Sequence, residues 1–184
     1  NGARIWATYY GGSSDDVGYD MVYDHHSHFY IAGMSKSNSN IAFNGYKNTK
    51  NSPVENAILT KFDTSGYRIW STYYGNDTST TRFTAGTSVQ LDDSGYIYLI
   101  GITNTYYNND IATNSYTKTG IDYTDLDGFV AKFDTSCSRI WGRYIGGSKY
   151  ETAVCATLYN HHLYIAGETK SPDFVPVYYG MADG

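Results

Sequence analysis

Two histidine clusters are the first groups in this chain that could do chemistry: Asp24-His25-His26-Ser27-His28 and His161-His162. Clustered imidazoles can hold zinc, copper or nickel. A second candidate is the acidic run Asp122-Tyr123-Thr124-Asp125-Leu126-Asp127-Gly128. Carboxylates alternating ahead of a glycine can wrap Ca²⁺, which takes about six to eight oxygen ligands. Asp122, Asp125 and Asp127 are the candidate ligands, although the run lacks the remaining positions and distal Glu of an EF-hand loop, and Asp-Gly is also a plain turn ahead of a strand. A third candidate is aromatic. Tyrosine offers a flat face and a polar tip suited to sugar or protein contacts, and Tyr106, Tyr107, Tyr123 and Tyr178 fall in long polar stretches where such contacts would be displayed. Catalysis has the least support. No Ser/His/Asp set, no phosphate-cradling glycine loop and no cysteine beside a base is legible, so no catalytic residue is assigned and the chain is not read as an enzyme.

Composition narrows the field further. Thirteen Lys and Arg stand against eighteen Asp and Glu, for a net charge of -5. Nucleic-acid binding needs clustered cations to displace counterions from phosphates, so that partner is not expected. No apolar run is long enough to cross a bilayer as a helix, and membrane insertion is not expected either. Two cysteines, Cys137 and Cys155, make neither a disulfide framework nor a four-ligand zinc site, and are read as free thiols.

The elements that must position any site repeat along the chain. Lys61 to Gly75 reads KFDTSGYRIWSTYYG, Lys132 to Gly146 reads KFDTSCSRIWGRYIG, and Asn1 to Gly11 reads NGARIWATYYG. Between these marks the same runs recur: GYDMVYD, AGTSVQLD and TAVCATLY; then FYIAG, YIYLIG and LYIAG; then AILTKFD and FVAKFD. Each is short, rich in Tyr, Ile, Val, Phe and Trp, and bounded by Gly, Asn, Asp or Ser, which is the signature of a strand. No stretch has sustained helical periodicity. Asp92-Asp93-Ser94-Gly95, Asn160-His161 and Asp63-Thr64-Ser65-Gly66 read as hairpin turns. Four antiparallel strands per unit, A to D in the order of these runs with R-I-W-x-x-Y as the outer strand D, and a period above forty residues, match a β-propeller blade. Apolar residues on both faces of several strands fit a blade covered on two sides.

The pattern of a D-x-x-G turn, Y-I-A-G, F-V-A-K-F-D-x-S and I-W-x-T-Y-x-G resembles the SBBP-type β-propeller repeat, over essentially the whole chain. Ser171-Pro172-Asp173-Phe174 fits the family's Asp-Phe signature, while the stretches after Ser35 and Thr103 have lost it. The resemblance implies a secreted or surface-exposed bacterial protein, often large and multi-modular, and no single activity.

The expected architecture is therefore all-β: residues 1–12 as strand D of a preceding blade, 13–75 and 76–147 as complete blades, and 148–184 as the first half of another. That makes eleven strands in an incomplete ring, completed by further blades or by another chain. The long B–C segments and the D–A loops share one face, where binding is expected, while both histidine clusters fall in A–B turns on the other and are read as solvated turn residues. Asp15 and Asp16 lie in a D–A loop. Glu151 takes the place of Asp16 in another unit, which points to a structural role repeated per blade. The expected function is a structural or interaction module, extracellular or on the cell surface, contacting protein partners. A glycan-binding module using the Tyr-rich loops is the alternative, and an enzyme with its site on the loop face is third. No cofactor beyond the possible Ca²⁺ is expected.

Overall fold

In the computed structural model, the described residues are 2–75, 79–105, 111–112 and 125–174. They form ten strands in three antiparallel sheets, and there is no helix among them. The first sheet runs in order through β1 (Asp16–Tyr23), β2 (His28–Ser35), β3 (Asn56–Asp63) and β4 (Arg68–Tyr74). The second repeats it with β5 (Thr84–Leu91), β6 (Ile97–Thr103), β7 (Asp127–Phe133) and β8 (Arg139–Ile145). The third has two strands, β9 (Glu151–Tyr159) and β10 (His162–Thr169). Residues 2–10 carry no strand, so the expected eleventh strand is not formed. A strand needs a neighbour with which to exchange backbone hydrogen bonds, and no strand of the described residues pairs with this segment.

One aspartate builds each of four hairpin turns in the same way. Asp24, Asp63, Asp92 and Asp134 each accept, through Oδ1, the backbone N–H groups two and four residues further on. The side chain thereby mimics a backbone turn, which is why the repeat keeps Asp at the end of strands A and C. The β9–β10 connection is tighter: Asn160 and His161 both have positive φ, at 47° and 60°, as a two-residue hairpin of type I′ requires. Gly66 of the first C–D turn has φ 87°, and Cys137 takes the same left-handed position in the second at φ 71°. Both cysteines are free thiols, Cys137 buried and Cys155 exposed on β9.

The glycine that closes each Y-I-A-G run has a steric cause. The first strand of every sheet carries a β-bulge opposite it, with register shifts at Gly18/Asp20, Gly86/Ser88 and Ala166/Gly167. The bulge pushes a carbonyl toward the neighbouring strand. A Cβ on Gly33, Gly101 or Gly167 would sit 2.0, 2.0 or 1.7 Å from the oxygen of Val17, Ala85 or Thr152. No side chain fits there.

The sheets stack face to face, β5 lying against β1, β2 and β3, and β9 against β5, β6 and β7. Tyr30, Leu59, Trp70 and Tyr74 of the first sheet meet Val89, Leu99, Phe129 and Phe133 of the second in one buried cluster. Tyr98, Ile100 and Val130 on the opposite face of the second sheet pack against Ala153, Leu163 and Ile165 of the third. Both faces of the second sheet are covered, which accounts for its loss of alternating polarity.

Hydrogen bonds fix the stacking. Trp70 donates its indole N–H to the Thr135 carbonyl of the β7–β8 turn at 3.1 Å, and the Tyr74 hydroxyl donates to the Ile111 carbonyl at 2.6 Å. Trp6 and Tyr10 make the corresponding bonds one unit earlier, to the Thr64 carbonyl at 2.8 Å and the Ile41 carbonyl at 2.9 Å. Although they form no strand, residues 2–10 thus stand to the first sheet as β4 stands to the second. The Asp20 carboxylate adds a further tie, accepting from the Ser88 hydroxyl and the Val89 N–H.

Trp70 is 4 % exposed. Truncating it to alanine should cost about 3–5 kcal/mol of stability, measured by urea unfolding. Gly101→Ala should cost at least about 2 kcal/mol in the same experiment, because the obstruction is backbone rather than a side chain that can swing away.

Candidate functional site

At the rim where the sheets begin their first strands, the repeat spends its acidic residues on holding loops. Asp16 Oδ2 accepts from the Gly12 N–H at 2.7 Å and the Ser37 hydroxyl at 2.9 Å. Glu151, at the same position two repeats on, accepts from the Gly147 N–H at 2.9 Å and the Thr169 hydroxyl at 2.9 Å. Both acids hold loops, as expected from the Asp16-for-Glu151 exchange, but the acid does not repeat in every unit: the second sheet has Thr84 at this position, bonded to the Thr103 hydroxyl. Lys50 likewise holds a loop in place. Only 2 % exposed, it gives its ammonium to the carbonyls of Lys36 and Ser52 and to Asn38 Oδ1, at 2.9, 2.7 and 3.0 Å. This all-oxygen cage pins the β2–β3 loop.

The sequence candidates on this rim fare unequally. Tyr106, Tyr107, Asp122, Tyr123 and Tyr178 lie outside the described residues. Asp125 is half-buried just ahead of β7, and Asp127 is buried at its first position. The Asp127 and Glu151 carboxylates approach each other across Gly146, where a Cβ would be 2.7 Å from Asp127 Oδ1 and 2.8 Å from Glu151 Oε2. Among the described residues no group of three or more His, Cys, Asp and Glu side chains is placed to hold a metal ion.

The β2–β3 and β6–β7 segments, which look dissimilar, share a buried core that sequence reading passed over. Ile41-Ala42-Phe43-Asn44-Gly45-Tyr46 matches Ile111-Ala112-Thr113-Asn114-Ser115-Tyr116 at four positions: Ile, Ala, Asn and Tyr. Ile41 and Ile111 are fully buried, and their carbonyls receive the inter-sheet tyrosines. The contact has a variant. Ser71 hydrogen-bonds to the Ile41 carbonyl, whereas at the equivalent Gly142 a Cβ would stand only 2.1 Å from the Ile111 oxygen. An I-A-x-N-x-Y match across two loops was the available signal.

A more concave site lies at the opposite rim, between the β1–β2 turn and the β5–β6 turn. It is a cleft of about 640 Å³ lined by Asp24, His25, His26, His28, Tyr30, Lys61, Asp92, Asp93 and Thr135, with Val22, Tyr23 and Leu91 supplying apolar wall. His25 and His26 are exposed, as expected of turn residues, while His28 is half-buried. Adjacent hairpins put the three histidines and the Asp92-Asp93 pair around one space, a juxtaposition that only the stacking of the sheets creates.

The two walls of the cleft are built from one repeated trio used in two ways. In the second sheet Asp92 Oδ2 accepts from the Tyr98 hydroxyl at 3.0 Å and pairs with Lys132 at 3.9 Å, whose ammonium also lies 3.9 Å from the Tyr96 ring centroid. The corresponding residues of the first sheet are Asp24, Tyr30 and Lys61, and His28 stands where the second has Tyr96. His28 changes the pairing. Its Nδ1 lies 2.7 Å from Asp24 Oδ2 and takes the carboxylate oxygen that the tyrosine and lysine use in the other copy. Lys61 is left with the Tyr30 ring, 5.2 Å from its ammonium.

The electrostatics follow. Burial works to raise the Asp24 carboxyl, but the N–H groups of His26 and His28 and the His28 ring outweigh it and hold the carboxyl below its ordinary value. Burial pushes Lys61 below the usual lysine range, offset in part by Asp24. Burial pushes the Cys137 thiol up to about 12, which makes it a packing group rather than a nucleophile.

A carboxyl depressed on folding contributes stability that is present above its unfolded pKa and lost as pH falls through the lower folded value. Asp24→Asn keeps the turn acceptor and removes the charge. It should lower stability by about 1 kcal/mol at pH 7 and shrink the difference between urea midpoints at pH 7 and pH 3. An unaltered difference would remove Asp24 from the acid response.

No protein-family model matches the chain, and no curated protein matches it.

Proposed function

We propose that the three sheets are blades of a β-propeller of SBBP-repeat type, completed by further blades or another chain, and that the module serves structural and protein-interaction roles in a secreted or cell-surface bacterial protein. One observation supports this reading above the others: the Trp-to-Thr and Tyr-to-Ile hydrogen bonds repeat at successive junctions, as they must when each unit docks on the next in the same sense.

The outward faces support it too. Met21, Phe29, Ile31 and Phe62 correspond to Val89, Ile97, Leu99 and Phe133, which the first sheet buries. Their own face is covered by the short segment through Trp6 and Tyr10, and an apolar slot of about 310 Å³ remains beside it. Met21 is 59 % exposed. At the other end Val154 and Tyr164 of the third sheet are 57 % and 54 % exposed. Apolar surface of this kind at both ends of a stack is what unpaired repeat faces present.

Sedimentation of the chain should therefore show concentration-dependent association, and Met21→Asp or Val154→Asp should abolish it while leaving the circular-dichroism spectrum unchanged. A monomer at all concentrations, indifferent to both substitutions, would defeat the reading.

A further inference from the structure

The cleft between the β1–β2 and β5–β6 turns contains a cation that no carboxylate of the described residues pairs with directly. Lys61 is 9 % exposed, and among the described residues its ammonium has neither an ion pair nor a hydrogen bond, only the Tyr30 ring at 5.2 Å. The contrast with its neighbours makes this specific. Lys50, more deeply buried, is held by three oxygens, and Lys132, the repeat equivalent of Lys61, is paired with Asp92. A nearly buried cation without an acceptor is costly, and an anion drawn into the cleft would offset that cost.

We propose that this cleft binds a small organic oxyanion, a carboxylate or phosphate ester, with its negative group on Lys61. The lining supplies further donors. The Tyr30 hydroxyl makes no hydrogen bond among the described residues, and the His25 and His26 rings are likewise unengaged by hydrogen bonds. The carboxylates around the cleft are mostly committed. Asp24 is taken by His28 and two backbone N–H groups, and Asp92 by Tyr98, Lys132 and its own turn. Asp93, exposed at the mouth, remains. It disfavours a polyanion such as a nucleic acid, in keeping with the chain's net charge of -5. Val22, Tyr23 and Leu91 offer the ligand's body an apolar wall, and about 640 Å³ is ample for a compact molecule.

His28 is the residue that makes the site. With tyrosine there, as in the second sheet, Asp24 would be released to Lys61, and the protein would satisfy its own lysine. This separates a binding site from a lysine that is merely packed.

The test titrates the full chain with phenyl phosphate, benzoate and, as an uncharged control, benzyl alcohol, followed by calorimetry and by shifts of the histidine NMR signals. Saturable binding of at least one anion, with none of the alcohol, is expected, and the stronger anion identifies phosphate or carboxylate as the preferred group. Lys61→Met should weaken binding by about tenfold or more, the loss of one charge-assisted hydrogen bond, while Lys61→Arg should retain most of it. His28→Tyr should weaken it comparably although Lys61 is still present, and this variant carries the test if Lys61→Met fails to fold. Failure of both anions to bind, or affinity unchanged in Lys61→Met or in His28→Tyr, would overturn the proposal. None of these outcomes depends on whether the sheets belong to a propeller.

Discussion

The structure depends on covering two apolar faces of every sheet with neighbours that a single unit cannot supply. A four-stranded sheet with one bare apolar face is a poor folding unit, because the hydrophobic gain from one side barely meets the entropy of ordering the chain. Stacking resolves this. The second sheet, covered by the first on one side and the third on the other, contains two almost wholly buried strands, β6 and β7, which β3 of the first sheet matches. Burial declines outward to β10, most of whose residues are exposed. The repeated Trp and Tyr hydrogen bonds give the stacking a register that nondirectional apolar contact would leave loose.

The proposed anion site lies where one copy of the repeat departs from another. The Asp, Tyr and Lys trio is structural in the second sheet, each charge answered by its neighbour. In the first, a single histidine redirects the aspartate and leaves the lysine facing a cleft. The cleft itself belongs to neither sheet, since its walls are the A–B turns of two successive units. Repetition supplies the walls and divergence supplies the chemistry.

Much of the fold was legible in the sequence because strand propensity, turn chemistry and repetition agree. The Asp-led hairpins, the glycine after Y-I-A and the edge position of R-I-W-x-x-Y all follow from local rules. Residues 2–10 did not form the expected strand, because pairing requires a partner that local sequence cannot provide. The candidate ligands were harder to place. Asp125 and Asp127 were recognisable as acids ahead of a strand, yet the carboxylate that approaches Asp127 across Gly146 is Glu151, from the next unit. His25 and His26 sit exposed in the A–B turn, as a solvated reading requires, whereas His28 opens β2, half-buried and bonded to Asp24. Their grouping with Lys61 and Asp92 depends on the angle and spacing of two stacked sheets, which no single hairpin encodes.

The junction between sheets is also polar in the sense of having a donor side and an acceptor side. One unit contributes the indole and phenol of its outer strand, and the next contributes the carbonyls of a C–D turn and a B–C loop. Such a contact is not its own mirror. Two identical copies cannot satisfy it face to face about a two-fold axis, and can meet only head to tail. Any assembly that extends this stack therefore keeps one polarity throughout, closing where successive rotations bring the last acceptor face round to the first donor strand and staying open where they do not.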